Sequence, residues 1–108
     1  MGKQMKTMAN NFSNEYIRRE VTKVMHPAIN CSLIELGIVK NIEMKTGKVI
    51  ITMAFPFPNV PIAEYLVDIV KESIEEVYAV VEIETVIMDK QELEKFLALE
   101  KEHWRKAI

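Results

Sequence analysis

Cys31 is the only thiol in the 108 residues, and His26 stands shortly before it. The intervening loop ends in the polar run Asn30-Cys31-Ser32. One thiolate and one imidazole are two metal ligands, half of a tetrahedral set. A second copy would complete the set if two Cys31 and two His26 met across a two-fold axis, an arrangement suited to a bridged cluster. The competing reading is plainer. Lone cysteines are usually small buried hydrophobes, and a cationic His26 just before Pro27 would stabilise the negative pole of a preceding helix.

Other chemistry is sparse. Glu35, beside Leu36-Gly37, resembles a catalytic acid only in type, because no partner stands at a defined spacing from it. No nucleophile–base pair and no His-x-x-x-His pattern occurs. Three glycines (Gly2, Gly37 and Gly47) are too few for a glycine-rich nucleotide loop. His103 reads as a surface residue. An enzyme is therefore not expected. Binding is better served: Phe57, Asn59 and Val60 lie in a proline-locked loop, and an aromatic beside free backbone N–H groups suits docking. In the bland alternative the loop is a lid that packs Phe55 and Phe57 on the core. Trp104, among Lys101, Arg105 and Lys106, is a second candidate anchor, for a partner or a homodimer. With Glu35, these are the residues expected to meet a partner.

The elements that position them follow from periodicity. Residues 1–12 are polar, Met-rich and without a period, and read as a flexible tail ahead of one domain spanning 13–108. Ser13 reads as an N-cap, with Phe12 and Ile17 as a hydrophobic staple. Ile17, Val21, Val24 and Met25 recur on one helical face, and Pro27 is expected to stop that helix. From Leu33 the pattern becomes a strand, with Leu36, Ile38, Ile42 and Met44 on one face and the alternation broken at Lys40. Gly47 turns the chain into a second strand, with Val49, Ile51, Met53 and Phe55 on one face and Ile50, Thr52 and Ala54 on the other.

Three prolines exclude Pro56–Pro61 from a strand interior. The loop leads into a helix capped by Asn59, with Pro61 in its first turn and a stripe of Ile62, Leu66, Ile69, Ile74 and Val77. Glu76 is placed on its wet side. A third strand, residues 80–87, sets Val81, Ile83 and Ile87 against Glu82 and Glu84. Asp89 and Glu92 are spaced as a capping box for a last helix bearing Leu93, Phe96, Leu97 and Trp104, with Arg105 and Lys106 at its cationic end. The order α-β-β-α-β-α predicts an α+β two-layer sandwich, a three-stranded mixed sheet with helices on one face.

Composition narrows the setting. A content of 49% hydrophobic and 28% charged residues is that of a soluble globular domain. A net charge of −2 gives no reason to expect nucleic acid. No run reaches the ~20 apolar residues of a membrane helix. The start lacks a secretory pattern and the residue pattern for myristoylation. One cysteine allows no internal disulfide, so a reducing cytoplasmic setting is expected.

The segment Glu35-Leu36-Gly37-Ile38-Val39 resembles the MIP18 (DUF59) family, whose SufT-like members carry an acidic-Leu-Gly-Leu-Val element at this place. Their Asp-Pro-Glu element is represented by His26-Pro27-Ala28, their glycine-turned hairpin by Gly47, and their Thr-x-Pro-x-Cys-Pro loop by Pro56-Phe57-Pro58-Asn59-Val60-Pro61. The likeness runs from Tyr16 to Ile87 and extends to the leading domain of Mrp-type carriers. Val60 stands where the family has its loop cysteine, Pro56 where it has threonine, and His26 where it has aspartate. The resemblance implies an accessory or adaptor role in iron–sulfur cluster assembly, with scaffold or client proteins as partners. No cofactor is obligatory; the resemblance is compatible with a transiently bound iron or cluster between two subunits but does not imply that this copy binds iron. The rival reading is an interaction module that keeps the fold without metal chemistry.

Overall fold

The computed structural model describes residues 15–75 and 80–104. The expectations for the 1–12 tail and for Phe12, Ser13, Glu76, Val77, Arg105 and Lys106 lie outside the described residues. The elements are a helix over residues 15–22 (α1), strands β1 (Val39–Lys45) and β2 (Lys48–Phe55), helix α2 (Ala63–Glu75), strand β3 (Val81–Ile87) and helix α3 (Lys90–His103). The architecture is the expected α+β order with a mixed sheet. β2 is central, antiparallel to β1 and parallel to β3.

A tight hairpin, closed by the Lys45–Lys48 pair, joins β1 to β2. Gly47 takes φ +76° there, a left-handed conformation that side chains disfavour. The interruption at Lys40 is a β-bulge. Val39 pairs with Met53 but Asn41 with Thr52, so Lys40 is the extra residue. Its ammonium reaches Glu92 Oε2 at 3.0 Å, tying the bulge to the start of α3. The same Glu92 accepts the Asp89 N–H through Oε1 at 2.9 Å, while Asp89 accepts the Glu92 N–H at 2.8 Å. The capping box is thus present as expected.

Val49, Ile51 and Met53 of β2 are fully buried, and Ala54 on its reverse is buried as well. Ile17 and Val21 of α1 and Leu66, Val70 and Ile74 of α2 complete the apolar core, with Phe96 from α3. The α2 stripe therefore runs through Val70, while Ile62 and Ile69 are half-buried.

Four local expectations are corrected. α1 ends at residue 22, before Pro27, in tight turns where the Lys23 and Val24 N–H groups reach the Glu20 and Val21 carbonyls. Met25, beyond that end, is bridged to Ser32 and exposed rather than on the helical face. Leu33–Gly37 is a turn, not the start of β1. Asn59 does not cap α2: it takes φ 62° ahead of the helix, whose first turn is closed by the Leu66 N–H on the Ile62 carbonyl.

Candidate functional site

The structure places the expected site residues in two regions. His26, Cys31 and Glu35 belong to a closed loop between α1 and β1. The His26 N–H donates to the Cys31 carbonyl (3.1 Å) and the Leu33 N–H to the Val24 carbonyl (2.9 Å), so the loop folds back on itself. Inside it, His26 Nδ1 accepts two backbone N–H groups, from Ala28 at 2.9 Å and Ile29 at 3.1 Å. Both donors would otherwise lack a partner within the turn. The imidazole thus works as a short acceptor side chain does in an Asx turn, and Nδ1 carries no proton.

Cys31 is 3% exposed and belongs to the core cluster. Burial, and then the negative charges of Glu35 and Glu102, push its thiol above the ordinary value. A protonated thiol is a poor ligand. With the Nδ1 lone pair committed to the backbone, and no group of three His, Cys, Asp or Glu gathered among the described residues, the donor set does not fit a resident metal.

Glu35 has a local task. The Ser32 N–H donates to Glu35 Oε1 (2.8 Å) and the Glu35 N–H to Ser32 Oγ (3.1 Å), a reciprocal capping box on a single helical turn. The Ser32 backbone N–H, and then the Ser32 side chain, hold the Glu35 carboxyl below its usual value, against a smaller opposing effect of burial. The turn ends at Gly37, φ +79°, where the Gly37 N–H reaches the Ile34 carbonyl and the Ile38 N–H the Leu33 carbonyl. That pair of bonds is a Schellman ending. Leu33, Leu36 and Ile38 are buried by this turn rather than by a strand. The Ser-x-x-Glu spacing followed by Gly was the readable signal for it.

The second region is open. β2 and β3 end side by side at Phe55 and Ile87, joined there by the Met88 N–H on the Phe55 carbonyl at 2.8 Å. The proline loop arches past these carboxyl ends, the place where parallel strands leave a crevice for ligands. A pocket of about 320 Å³ lies between the loop and the strand ends, lined by Phe57, Asn59 and Val60 on one side and Thr85, Val86 and Ile87 on the other. Phe55 is buried as the lid reading expects, but Phe57 is 53% exposed and does not pack on the core. Val60 is half-buried against the core. Ile87, expected on the inner face of β3, is 52% exposed. The contribution of Thr85–Ile87 was missed because strand alternation predicts which face a residue takes, not where the covering layer stops.

Trp104 is elsewhere, past the end of α3 and 51% exposed. Its backbone bridges Ile29, and the Asn30 N–H donates to the His103 carbonyl at 2.8 Å, so the end of α3 is fastened to the closed loop.

The family model described as iron–sulfur cluster assembly protein matches residues 14–85, well over half of the chain. The chain belongs to this family. It is the MIP18 (DUF59) family that the Glu35–Val39 and proline-loop segments resemble, and membership brings the two regions under one pattern. A crystal structure of a domain of unknown function DUF59 from Bacillus anthracis is 23% identical, covers 86% of this chain and 96% of that one, and superimposes with a TM-score of 0.58. It bears out the fold. No curated protein matches the chain significantly. Among the described residues, no helix of this family member is long and apolar enough to cross a membrane.

Proposed function

We propose that this chain is an accessory of iron–sulfur cluster assembly or delivery that acts by binding scaffold or client proteins, without catalysis and without an obligatory cofactor. One observation carries the reading. The family's loop position opens onto a pocket walled by Val60, Phe57 and Ile87, whereas the chain's own soft ligand, Cys31, is closed inside the core. Valine has no lone pair, so this pocket offers contact area to another protein and not coordination to iron. The cluster, in this reading, is cargo that partner proteins hold.

The second reading is an interaction module with no link to clusters, favoured by the same exchange of thiol for Val60. Affinity purification of the tagged protein separates the two. Enrichment of identified cluster scaffolds or cluster-containing clients, lost on Phe57→Ala, supports the first. Enrichment of proteins without clusters alone supports the second. A companion experiment mixes the purified protein with ferrous iron and sulfide without oxygen and follows absorbance and mass by size-exclusion chromatography. A colourless species of unchanged mass is expected. A coloured dimer that disappears in Cys31→Ser would overturn the adaptor reading and make the protein a carrier.

A further inference from the structure

β3 is an edge strand, and the parity of its bonding is fixed by two contacts. The Val49 N–H donates to the Val80 carbonyl and the Met88 N–H to the Phe55 carbonyl. In a parallel ladder a residue that bonds across does so with both its groups. The even-numbered residues of β3 therefore face β2, and Val81, Ile83, Thr85 and Ile87 direct their N–H and C=O groups away from the sheet. Among the described residues nothing hydrogen-bonds to them on that side. Exposure runs from Glu84 to Ile87, and the pocket beneath Phe57 begins where the strand ends.

An open edge is a pairing template that proteins ordinarily guard with charge. Here Glu82 is tied to Lys48 at 3.1 Å, and Glu84 has no ion-pair partner among the described residues. The Thr85-Val86-Ile87 stretch carries no charge at all.

We propose that the β3 edge and its adjoining pocket bind an extended segment of a partner protein by strand addition. That segment is basic at alternate positions and carries one large apolar side chain at the pocket end. The charge pattern favours this occupant, and it disfavours a second copy of the chain in the register centred on Ile83. Antiparallel pairing of two β3 strands about Ile83 would set Glu82 directly opposite Glu84 twice, and like charges facing across a ladder are destabilising. A basic segment meets the same carboxylates favourably. The pocket, at about 320 Å³, stands at the lower end of the ~300–1,000 Å³ range of ligand sites and suits a side chain better than a cofactor. Main-chain bonds then supply affinity and the pocket supplies selectivity. The inference deepens the adaptor reading by naming what the pocket region takes, and rests on it for the partner's biological setting.

The test uses two labelled, end-blocked peptides of opposite order, Lys-Val-Lys-Val-Thr-Phe and Phe-Thr-Val-Lys-Val-Lys, titrated into the full chain by anisotropy and amide NMR. One order is expected to bind, protecting the amides of Val81, Ile83, Thr85 and Ile87 from exchange and shifting those of Phe57 and Val60. Thr85→Pro removes an outward donor and no ladder bond, a substitution that edge strands tolerate. It is expected to weaken binding roughly tenfold, as losing a hydrogen bond does, and Glu84→Lys about threefold or more. N-methylation of alternate peptide amides is the matching control that leaves the protein untouched. The proposal is overturned if neither peptide perturbs the β3 amides at millimolar concentration, if N-methylation has no effect, or if the protein alone self-associates through this edge. Peptide binding without any enrichment of cluster proteins would sink the functional reading and leave this one standing.

Discussion

Residues 24–38 and residues 56–62 are the two irregular stretches that frame the sheet, and they solve the same problem in opposite ways. The first closes on itself. Its donors are satisfied by His26 Nδ1, by the Ser32–Glu35 box and by the Gly37 ending, and it buries Ile29, Cys31, Leu33 and Leu36. The second is held by three prolines and leaves Phe57 exposed beside a pocket. Polar side chains placed to accept from the backbone make a loop part of the core. Proline stiffens a loop without giving it anything to bury. The residues that look reactive in the sequence, His26, Cys31 and Glu35, are structural parts of the closed loop.

The sharpest way to break this comparison is to hollow each side. Leu33 is fully buried, so Leu33→Ala is expected to cost about 2–5 kcal/mol, the range for a large-to-small change in a packed core. Ile87→Ala, at a half-exposed position, is expected to change stability by no more than about 0.5–1 kcal/mol. Urea denaturation of both variants decides it. Equal losses would mean that the β3 end is packed as tightly as the closed loop.

Next in size is His26→Ala, which strands the Ala28 and Ile29 N–H groups. One buried donor left unsatisfied costs about 1–3 kcal/mol. His26→Asp should restore most of the loss, because a carboxylate oxygen can accept from the same two donors as Nδ1 does. If His26→Asp is as damaging as His26→Ala, the acceptor role is wrong and the imidazole is there for its volume.

The elements were legible where a period was sustained: the hairpin, the Asp89–Glu92 box and the spacing through Leu66 and Ile74 stand as the alternation and caps require, and β3 is present as a strand although its alternation fails at Ile87. The closed loop was not legible as such. Leu33, Leu36 and Ile38 satisfy a strand's alternation only in part, and the turn that buries them instead depends on Ser32, Glu35 and Gly37 acting together. Cys31 and His26 lie close in sequence, but sequence spacing carries no information on which lone pairs the backbone has already taken. The pocket residues Phe57, Asn59 and Val60 were found because prolines mark the loop. Its far wall, Thr85–Ile87, depends on where a parallel partner ends, which only the tertiary register states.

A smaller effect tests the Schellman ending. Nothing lies within 4 Å of a Cβ built on Gly37, so Gly37→Ala meets no clash and its cost is conformational alone. Holding a side-chain-bearing residue at φ +79° is expected to cost about 1–2 kcal/mol. Gly37→Asn should cost less, since Asn visits this region more readily. A loss from Gly37→Ala well beyond that range, by the same denaturation assay, would point to packing that the open space contradicts.

The smallest expected effect is a pH dependence that distinguishes the closed loop by its chemistry. Glu35 is held below its ordinary value by the Ser32 N–H and then by the Ser32 side chain, and Glu92 by the Asp89 N–H and then by Lys40. A carboxyl whose folded value is lowered binds its proton more weakly folded than unfolded, so the unfolded chain takes up protons first as pH falls. Each group therefore stabilises the fold fully above the ordinary carboxylate range, and that stabilisation is lost as pH drops through the lowered folded value. Both groups are on the surface, so the contribution of each is modest. Glu35→Gln is expected to lower the melting temperature slightly at neutral pH. The gap from the parent should close on acidification, because the parent then also carries an uncharged acceptor at this position. A Glu35→Gln difference that persists unchanged into acid would mean that the box acts through shape and hydrogen-bond count, with no contribution from the charge.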